Sequence, residues 1–357
     1  MNKQKALIGM SGGVDSSVAA FLMLQQGYDC IGVTMRLYDG QDETSTCCSL
    51  DDVEDARSVA RRLGIPHYAF NFKDDFNQQV IRKFVACYEC GLTPNPCIDC
   101  NRYLKFDRLL RRAQELGCDY VVSGHYAQVK QDEATGRYLL CKAADRAKDQ
   151  TYFLACLDQH QLSHIQFPLG NLTKHEVREI AQQNGFVNAR KRDSQDICFV
   201  PDGDYVAFME RYTGKHYPEG NYLDLDGKVV GRHRGAVSYT IGQRKGLGIA
   251  LGAPVYVCSK DMQANTVTVG PNEALFSKAL RGTDWNWYPF PTLTEPMHVT
   301  AKTRHSQIEQ PATVYPEENG FARVEFDNPQ RAITPGQAVV LYDGEIVIGG
   351  GTITEVL

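Results

Sequence analysis

The chain has 357 residues, more than one hydrophobic core usually organises, so we expect two or three domains. Hydrophobic residues make up 43% and charged residues 23% of the sequence, a mixture that excludes a disordered chain. The net charge of −5 argues against a generally basic nucleic-acid binder but not against a local basic groove. The sequence contains neither a signal-peptide pattern nor an apolar run of about eighteen residues. We therefore expect a soluble, cytoplasmic protein with no membrane partner, whose 12 Cys are thiols, metal ligands or catalytic groups.

Short apolar runs alternate with segments of helical period from residue 5 to about residue 200. This alternation predicts an α/β domain, residues 1–205, in which helices cover a parallel sheet. Its first strand, residues 6–10, leads to a helix over residues 14–26 and a second strand over residues 30–35. Later strands are expected at residues 67–72 and 120–123. Capping boxes at Ser49 with Asp52 and at Thr173 with Glu176 predict the starts of two further helices.

Helical periodicity ends after about Tyr212, and turn dipeptides with alternating β-branched residues replace it. Asp226-Gly227 and Asp343-Gly344 each predict a β-hairpin. A break between residues 271 and 277 divides this half of the chain. We therefore predict a small, mostly β central domain at residues 206–275 and a C-terminal β-barrel at residues 276–357.

A glycine-rich segment, SGGVDSS at residues 11–17, lies directly between the first predicted strand and helix. Glycines let the backbone approach a polyanion, and the free N–H groups at a helix start favour phosphate. No Lys follows these glycines as a P-loop requires, and the dinucleotide fingerprint is also absent. An ordinary glycine-rich turn is the alternative interpretation.

This segment resembles the PP-loop of the ATP pyrophosphatases, S-G-G-x-D-S, which cleave ATP between its α and β phosphates. The resemblance implies adenylation chemistry, with Asp15 helping to hold Mg²⁺. Met35 and Gly124 would lie near the adenosine at the carboxyl edge of the sheet. The implied ATP-binding residues are Gly9, Met10, Ser11, Gly12, Gly13, Val14, Asp15, Ser16, Met35 and Gly124.

Cysteines form a second set of candidate functional residues. Cys97 and Cys100 lie on a proline-stiffened loop just before a predicted helix, where the helix dipole favours thiolate. Cys198 follows a polar, Asp-rich stretch, which favours a reactive loop over a structural thiol. A Cys₄ zinc site using Cys87 and Cys90 with Cys97 and Cys100 is the alternative, although Cys87 and Cys90 are also expected to end an amphipathic helix.

Seven segments in the same order along the chain resemble the bacterial tRNA-specific 2-thiouridylases, the MnmA/TrmU family. The resemblance implies ATP-dependent sulfur insertion at carbon 2 of the wobble uridine, position 34, in tRNA of the Lys, Glu or Gln type. A cysteine desulfurase or sulfur-relay protein would supply the sulfur. The segments are SGGVDSS at 11–17, TPNPCIDCNRYLKF at 93–106, SGHYA at 123–127, KDQTYFL at 148–154, DSQDICF at 193–199, YTIGQRKGLGI at 239–249 and TPGQAVVLYDGE at 334–345.

Position by position, the resemblance implies that Cys100 is the nucleophile and that Cys198 carries the persulfide. It also implies that Asp15 is a catalytic residue at the ATP site. Apart from the resemblance, the positive charges of Arg244 and Lys245 in the central domain favour a groove that binds tRNA phosphates. The alternative is that they lie on the solvated face of a charged hairpin. The expected contacts with the target base and the rest of the tRNA are Asn95, Pro96, Cys97, Lys148, Asp149, Gln150, Arg244, Lys245, Arg304 and His305.

Cys97 departs from the family pattern, which has Asp there in many members. Three cysteines, Cys97, Cys100 and Cys198, then become candidate ligands of a [4Fe-4S] cluster, and this interpretation is favoured slightly over a persulfide mechanism that needs only Cys100 and Cys198. Two other functions remain open from the sequence. One is a PP-loop ligase that acts on a small molecule, and the other is a catalytically silent tRNA-binding sulfur carrier.

Overall fold

The computed structural model describes residues 3–38, 50–191, 193 and 197–357. Within these ranges no helix has the length and apolar character needed to cross a membrane. The α-helices are α1 Val14–Gln25, α2 Leu50–Leu63, α3 Lys73–Phe76, α4 Arg82–Glu89, α5 Pro96–Asp99, α6 Leu109–Glu115, α7 Thr151–Leu154, α8 Gln159–Ser163, α9 Lys174–Gln183 and α10 Tyr205–Thr213. Two π-helical segments, Asn77–Ile81 and Cys100–Arg108, join α3 to α4 and α5 to α6.

The strands include a parallel first sheet, as predicted, and further sheets in the second half of the chain, in which all pairs are antiparallel except β8 with β11. They are β1 Lys5–Gly9, β2 Asp29–Arg36, β3 His67–Asn71, β4 Tyr120–Val122, β5 Gln128–Gln131, β6 Tyr138–Cys141, β7 Ile165–Gln166, β8 Gly220–Leu223, β9 Val229–His233, β10 Tyr256–Asp261, β11 Thr266–Gly270, β12 Phe276–Trp287, β13 Met297–Lys302, β14 Gln310–Pro316, β15 Ala322–Arg331, β16 Ala338–Asp343 and β17 Ile346–Val356.

The first sheet has five parallel strands in the order β3-β2-β1-β4-β7. Alternate residues of β1 face two different cores, with Leu7 in one and Ala6 and Ile8 in the other. Both faces are thus covered, as hydrophobic parallel strands require. The predicted capping box at Thr173 and Glu176 is confirmed, whereas the one at Ser49 lies outside the described residues.

The second half is β-rich, and the predicted fold class is confirmed. A small sheet in the order β10-β11-β8-β9 forms the central part, and its β8–β9 turn contains Asp226-Gly227. Strands β12-β15-β14-β13-β16-β17 form an antiparallel barrel that closes through pairing of β12 with β17. Asp343-Gly344 makes the β16–β17 turn.

The barrel is joined to the first half of the chain through the β5–β6 hairpin, which adds to β17 through Ile346 and Cys141. Arg137 of this hairpin segment donates to the carbonyl oxygens of Trp287, at 3.0 Å, and Tyr288, at 2.6 Å. The barrel is therefore held against the parallel-sheet domain, and loops from both meet at the site described next.

Candidate active site

The glycine-rich loop between β1 and α1 is held between two other backbone segments. Gly12 has a φ of +74°, and a Cβ on it would lie 2.3 Å from the carbonyl oxygen of Asp52. A Cβ on Gly124 would lie 2.7 Å from the backbone nitrogen of Ser16. Close packing therefore requires glycine at both positions, and the positive φ of Gly12 requires it there as well. The structure thus brings the SGHYA segment against the loop, as the sequence predicted.

The serine hydroxyls of the loop stabilise its shape. Ser16 Oγ accepts from the backbone nitrogen of Ser11 at 3.1 Å and donates to the carbonyl oxygen of Gly13 at 3.0 Å. Ser17 Oγ donates to that same carbonyl oxygen at 3.0 Å. Gly13 adopts the extended N-cap conformation without a side-chain cap, and Val14 begins α1. These hydrogen bonds thus fix the backbone of the loop directly before the start of α1.

Asn188 supports the loop from behind, a role that the sequence gave no sign of. Its side chain is 3% exposed. Its Nδ2 donates to the carbonyl oxygen of Gly12 and to Ser17 Oγ, both at 2.9 Å. An amide is suited to this position because one nitrogen can satisfy two buried acceptors.

Asp15 is the centre of a charged network beside the loop. Lys174 Nζ donates to both carboxylate oxygens of Asp15, at 2.7 and 2.8 Å, and pairs with Asp193 at 2.7 Å. Tyr126 donates its hydroxyl to Asp15 at 2.9 Å, and burial and the charge of Asp15 raise the pKa of Tyr126. Burial opposes ionisation of Asp193, but hydrogen bonds from Lys148 and Lys174 leave its pKa below the ordinary value.

Lys174 places an ammonium group beside a loop that contains no lysine of its own. Its ammonium lies beside Asp15 although the two residues are 159 positions apart. Asp15 could supply one carboxylate to Mg²⁺, which commonly takes one or two carboxylates together with substrate phosphates. The Asp15 carboxylate therefore fits Mg²⁺ as a ligand when the ion and the Lys174 ammonium share it.

The other predicted ATP-binding residues lie around the loop. Gly9 ends β1, and Met10, 1% exposed, continues the strand with its N–H donated to Val33 at 2.7 Å. Met35 lies near the end of β2 and Gly124 just after β4, the strands on either side of β1. Both thus lie at the carboxyl edge of the sheet, where open α/β sheets bind ligands.

The segment at residues 93–100, predicted to be a loop as far as Cys100, is helical from Pro96 onwards and presents its two cysteines differently. Asn95 caps α5 by accepting from the backbone nitrogen of Cys97 at 3.2 Å, and Pro96 fills the first helical turn. Cys97 is exposed, whereas Cys100 is buried at the start of the π-helical segment. The capping interaction fixes the direction in which this loop enters its helix.

Asp99, which the sequence reasoning did not single out, is the carboxylate of this loop. It is 6% exposed and accepts from Lys83 Nζ at 2.6 Å. Burial raises the pKa of Asp99, while the charge of Lys83 acts in the opposite direction. The carboxylate of this segment thus lies two residues after Cys97 and is directed to a lysine.

Cys198 packs on the same hydrophobic cluster as Cys100. The neighbouring Phe199 anchors the segment, with its ring 5.7 Å from that of Phe76 and 5.2 Å from that of Phe84. Ser194, Gln195 and Asp196 of this motif lie outside the described residues. The two predicted sulfur-handling cysteines thus contact the same hydrophobic cluster.

Neither predicted metal group fits the cysteines as they are arranged. In the part of the chain that the structure describes, no three His, Cys, Asp or Glu side chains are grouped so that they could hold a metal ion. This applies to the iron–sulfur set Cys97, Cys100 and Cys198. It applies equally to the zinc alternative with Cys87 and Cys90. That pair lies at the end of α4, as the helical pattern predicted.

Residues 148–150, predicted to contact tRNA, make internal bonds. Lys148 pairs with Asp193 at 2.8 Å. Asp149 accepts from backbone N–H groups within its own loop. Gln150 Oε1 accepts from the backbone nitrogen of Tyr126 at 2.9 Å. This segment therefore fastens the SGHYA turn, and its contact with tRNA stays a prediction.

The predicted tRNA contacts of the second half differ in exposure. Arg244 and Lys245 are exposed on the loop that follows β9. His305 is also exposed, and its ring lies 4.4 Å from that of Phe153. Arg304, by contrast, donates through Nη2 to the carbonyl oxygen of Ile241 at 3.1 Å and to Thr334 Oγ1 at 2.8 Å. Arg304 thus joins the central domain to the barrel.

Three family models match successive parts of the chain. Residues 4–202 match the tRNA methyl transferase HUP domain, residues 206–271 the tRNA methyl transferase PRC-barrel domain, and residues 277–353 the aminomethyltransferase beta-barrel domain. Among solved structures, a 4-thiouridine synthetase in complex with RNA and ATP aligns with a TM-score of 0.35 and 19% identity, covering 58% of this chain and 50% of that chain.

Curated relatives match over the full length. The tRNA-specific 2-thiouridylase MnmA of Acetivibrio thermocellus is 51% identical over 358 residues, covering 99% of this chain and 100% of the relative. That of Clostridioides difficile is 50% identical over 360 residues, covering 100% and 99%. Identity at this level across all three domains confirms the resemblance on which the sequence interpretation was based. The chain belongs to the tRNA-specific 2-thiouridylase family.

Proposed function

We propose that this chain transfers sulfur to carbon 2 of the wobble uridine, position 34, in tRNA of the Lys, Glu or Gln type, with ATP converted to AMP and pyrophosphate. One observation supports the proposal above all others. The nucleotide loop and both sulfur-handling cysteines lie on the same parallel-sheet domain in a chain about half identical to named 2-thiouridylases over its full length.

Adenylation is the first step of the proposed reaction. The O2 atom of uridine attacks the α-phosphorus of ATP, pyrophosphate leaves, and the N3 proton is lost to solvent. The backbone N–H groups at the start of α1 and the Lys174 ammonium would bind the phosphates, since both present positive charge at the loop. Mg²⁺ held in part by Asp15 would add charge neutralisation when bound.

Sulfur transfer follows through the two cysteines. The terminal sulfur of a persulfide on Cys198 attacks C2, and the C2–O2 bond breaks as AMP leaves. Cys100 then attacks the Sγ atom of Cys198, so the S–S bond of the persulfide breaks with its terminal sulfur left on C2, and a Cys100–Cys198 disulfide forms. N3 takes a proton back from solvent, which completes 2-thiouridine. A dithiol reductant restores both thiols with two electrons, and a cysteine desulfurase or sulfur-relay protein reloads Cys198.

This route requires only Cys100 and Cys198, and the contact of both residues with one hydrophobic cluster supports it. Cys97 is exposed while Cys100 is buried, so Cys97 is assigned to the target base together with Asn95 and Pro96. We infer further that the central domain, residues 206–275, and the barrel, residues 276–357, bind the tRNA body.

A thiolation assay tests the proposal. The purified chain is incubated with a tRNA transcript bearing U34, Mg²⁺-ATP, a persulfide donor and a dithiol, and nucleosides are analysed by mass spectrometry. We expect 2-thiouridine and equimolar AMP, and neither product from a matched C34 transcript. Pyrophosphate release that does not depend on tRNA would instead favour a small-molecule ligase, and tRNA binding without AMP would favour a silent sulfur carrier.

A further inference from the structure

Strand β12 contains a bulge where it pairs with β17. The register of this pairing shifts between Thr283 and Asn286. Asp284 and Trp285, the β12 bulge, therefore lie opposite Gly351 alone. Asp284 has a φ of +54°, a left-handed conformation that is uncommon for a residue with a side chain. Because such a conformation persists only where surrounding contacts hold it, and because bulges redirect side chains, the contacts of Asp284 indicate what the β12 bulge does.

The barrel holds the β12 bulge through Trp285. Its Nε1 donates to the carbonyl oxygen of Gly282 at 2.9 Å, and its ring stacks on that of Trp287 with 4.9 Å between the centroids. A Cβ on Gly351 would lie 2.7 Å from the Trp285 ring, so glycine at this position lets the indole lie directly on β17. Trp285 therefore anchors the β12 bulge in the barrel, while Asp284 contacts the parallel-sheet domain.

Asp284 contacts the π-helical segment that begins at Cys100. Arg102 donates from both of its terminal nitrogens to the two carboxylate oxygens of Asp284, from Nη2 at 3.1 Å. This two-point geometry fixes the direction of the pair as well as its distance. Gln161 Nε2 holds the same residue from another side by donating to the carbonyl oxygen of Arg102 at 3.1 Å. The backbone is therefore held two residues after Cys100, whose side chain is buried.

The residue after the β12 bulge makes a second contact, which reaches the turn before the buried cysteine. Asn286 Nδ2 donates to the carbonyl oxygens of Ala155, at 3.1 Å, and Leu157, at 2.6 Å. Between these two residues lies Cys156, whose Sγ donates to the carbonyl oxygen of Ile98 at 3.6 Å. Contacts from this part of β12 therefore reach the helical segment on both sides of its buried cysteine.

We propose that the β12 bulge holds Cys100 in position to attack Sγ of Cys198, with Asp284 and Arg102 as positioning residues. This inference rests on the proposed function and goes beyond it, because it gives the barrel a part in release of the product. After AMP leaves, uridine C2 is joined to Cys198 through two sulfur atoms. Cys100 loses its proton to solvent and forms a bond to Sγ of Cys198, and the S–S bond of the adduct breaks with its electron pair left on the sulfur at C2. The position of Cys100 therefore controls this step and not adenylation.

Asp284→Gly tests the proposal in a single turnover without added dithiol. The chain is loaded with a persulfide and saturated with U34 tRNA and Mg²⁺-ATP. We expect AMP to form at the wild-type rate but release of 2-thiouridine to fall at least tenfold, since misplacement of a reacting group by about 1 Å can cost about a hundredfold. The tRNA–Cys198 adduct should then accumulate on a non-reducing denaturing gel as a band that a dithiol removes. Glycine adopts a positive φ without strain, so the urea midpoint should not fall.

Asp284→Asn is the second variant, because asparagine also tolerates a positive φ and lacks the charge, and it should show the same split between AMP and 2-thiouridine. Asp107→Asn is the matched control, because Asp107 pairs with Arg111 at 3.0 Å one turn further along the same run of helix, and it should react like the wild type. Wild-type release of 2-thiouridine by both folded Asp284 variants, or an equal fall in their AMP formation, would overturn the proposal. Wild-type protein that forms no 2-thiouridine would instead refute the proposed function, so the two failures are distinguishable.

Discussion

Lys174→Met is the substitution whose effects follow most directly from the geometry. The side chain is 11% exposed, and its ammonium lies 2.7 Å from a carboxylate oxygen of each of Asp15 and Asp193. Without it, two carboxylates face each other with less compensating charge. Those carboxylates are 30% and 27% exposed, so the loss lies between the ~0.2–1 kcal/mol of a surface pair and the ~3–5 kcal/mol of a broken buried pair. We expect the free energy of unfolding to fall by about 2 kcal/mol.

The same substitution removes positive charge from the phosphate site. We expect tRNA-dependent AMP formation to fall about a hundredfold or more, comparable to loss of one preorganised donor in an electrostatic site. Urea unfolding measures the stability, and release of AMP measures the chemistry. Lys142→Met is the matched control, because that side chain is 12% exposed and pairs with Glu309 at 2.6 Å away from the loop. AMP formation by Lys174→Met at the control's rate would refute the assignment of Lys174 to ATP.

Three further variants test separate parts of the site. Asp15→Ala should abolish AMP formation while the Kd for tRNA, measured by filter binding, is unchanged; equal adenylation would contradict the assignment of the glycine-rich loop. Replacing Arg244 and Lys245 together with Ala should weaken tRNA binding and lower its salt slope by about one per lost phosphate contact, and an unchanged slope would identify them as ordinary surface charges. Gly124→Ala should raise the KM for ATP, because its Cβ would lie 2.7 Å from the backbone of the loop; an unchanged KM would show that the loop can shift without cost.

The location of the nucleotide loop could be predicted because the evidence is local. A strand, a glycine pair and a helix in that order place backbone N–H groups at a sheet edge, and Gly12 and Gly124 lie where this argument puts them. Lys174 and Asn188 could not be found in this way. Each comes from a distant part of the chain, and a lone lysine after a helix cap has the pattern of an ordinary surface residue.

For the cysteines, the sequence predicted a grouping in space that it could not establish. The prolines predicted that Cys97 and Cys100 lie on a loop, whereas both are in helical segments. The family resemblance alone assigned Cys198 to act with Cys100, because spacing carries no distance between separate segments. Soft ligands in a C-x-x-C pattern favour a cluster, yet Cys97 points to solvent while Cys100 is buried. The side that each thiol faces depends on the cap at Asn95 and the π-helical segment after it, which no periodic pattern reveals.

Single-turnover thiolation by an iron-free preparation tests the central claim most directly. The chain is purified, shown by metal analysis to lack iron, loaded with a persulfide donor and mixed with a U34 tRNA and Mg²⁺-ATP. We predict one 2-thiouridine and one AMP per persulfide consumed, with Cys198→Ser inactive and Cys97→Ser retaining activity. No thiolation by the iron-free chain, with activity restored by iron and sulfide and lost in Cys97→Ser, would contradict the account.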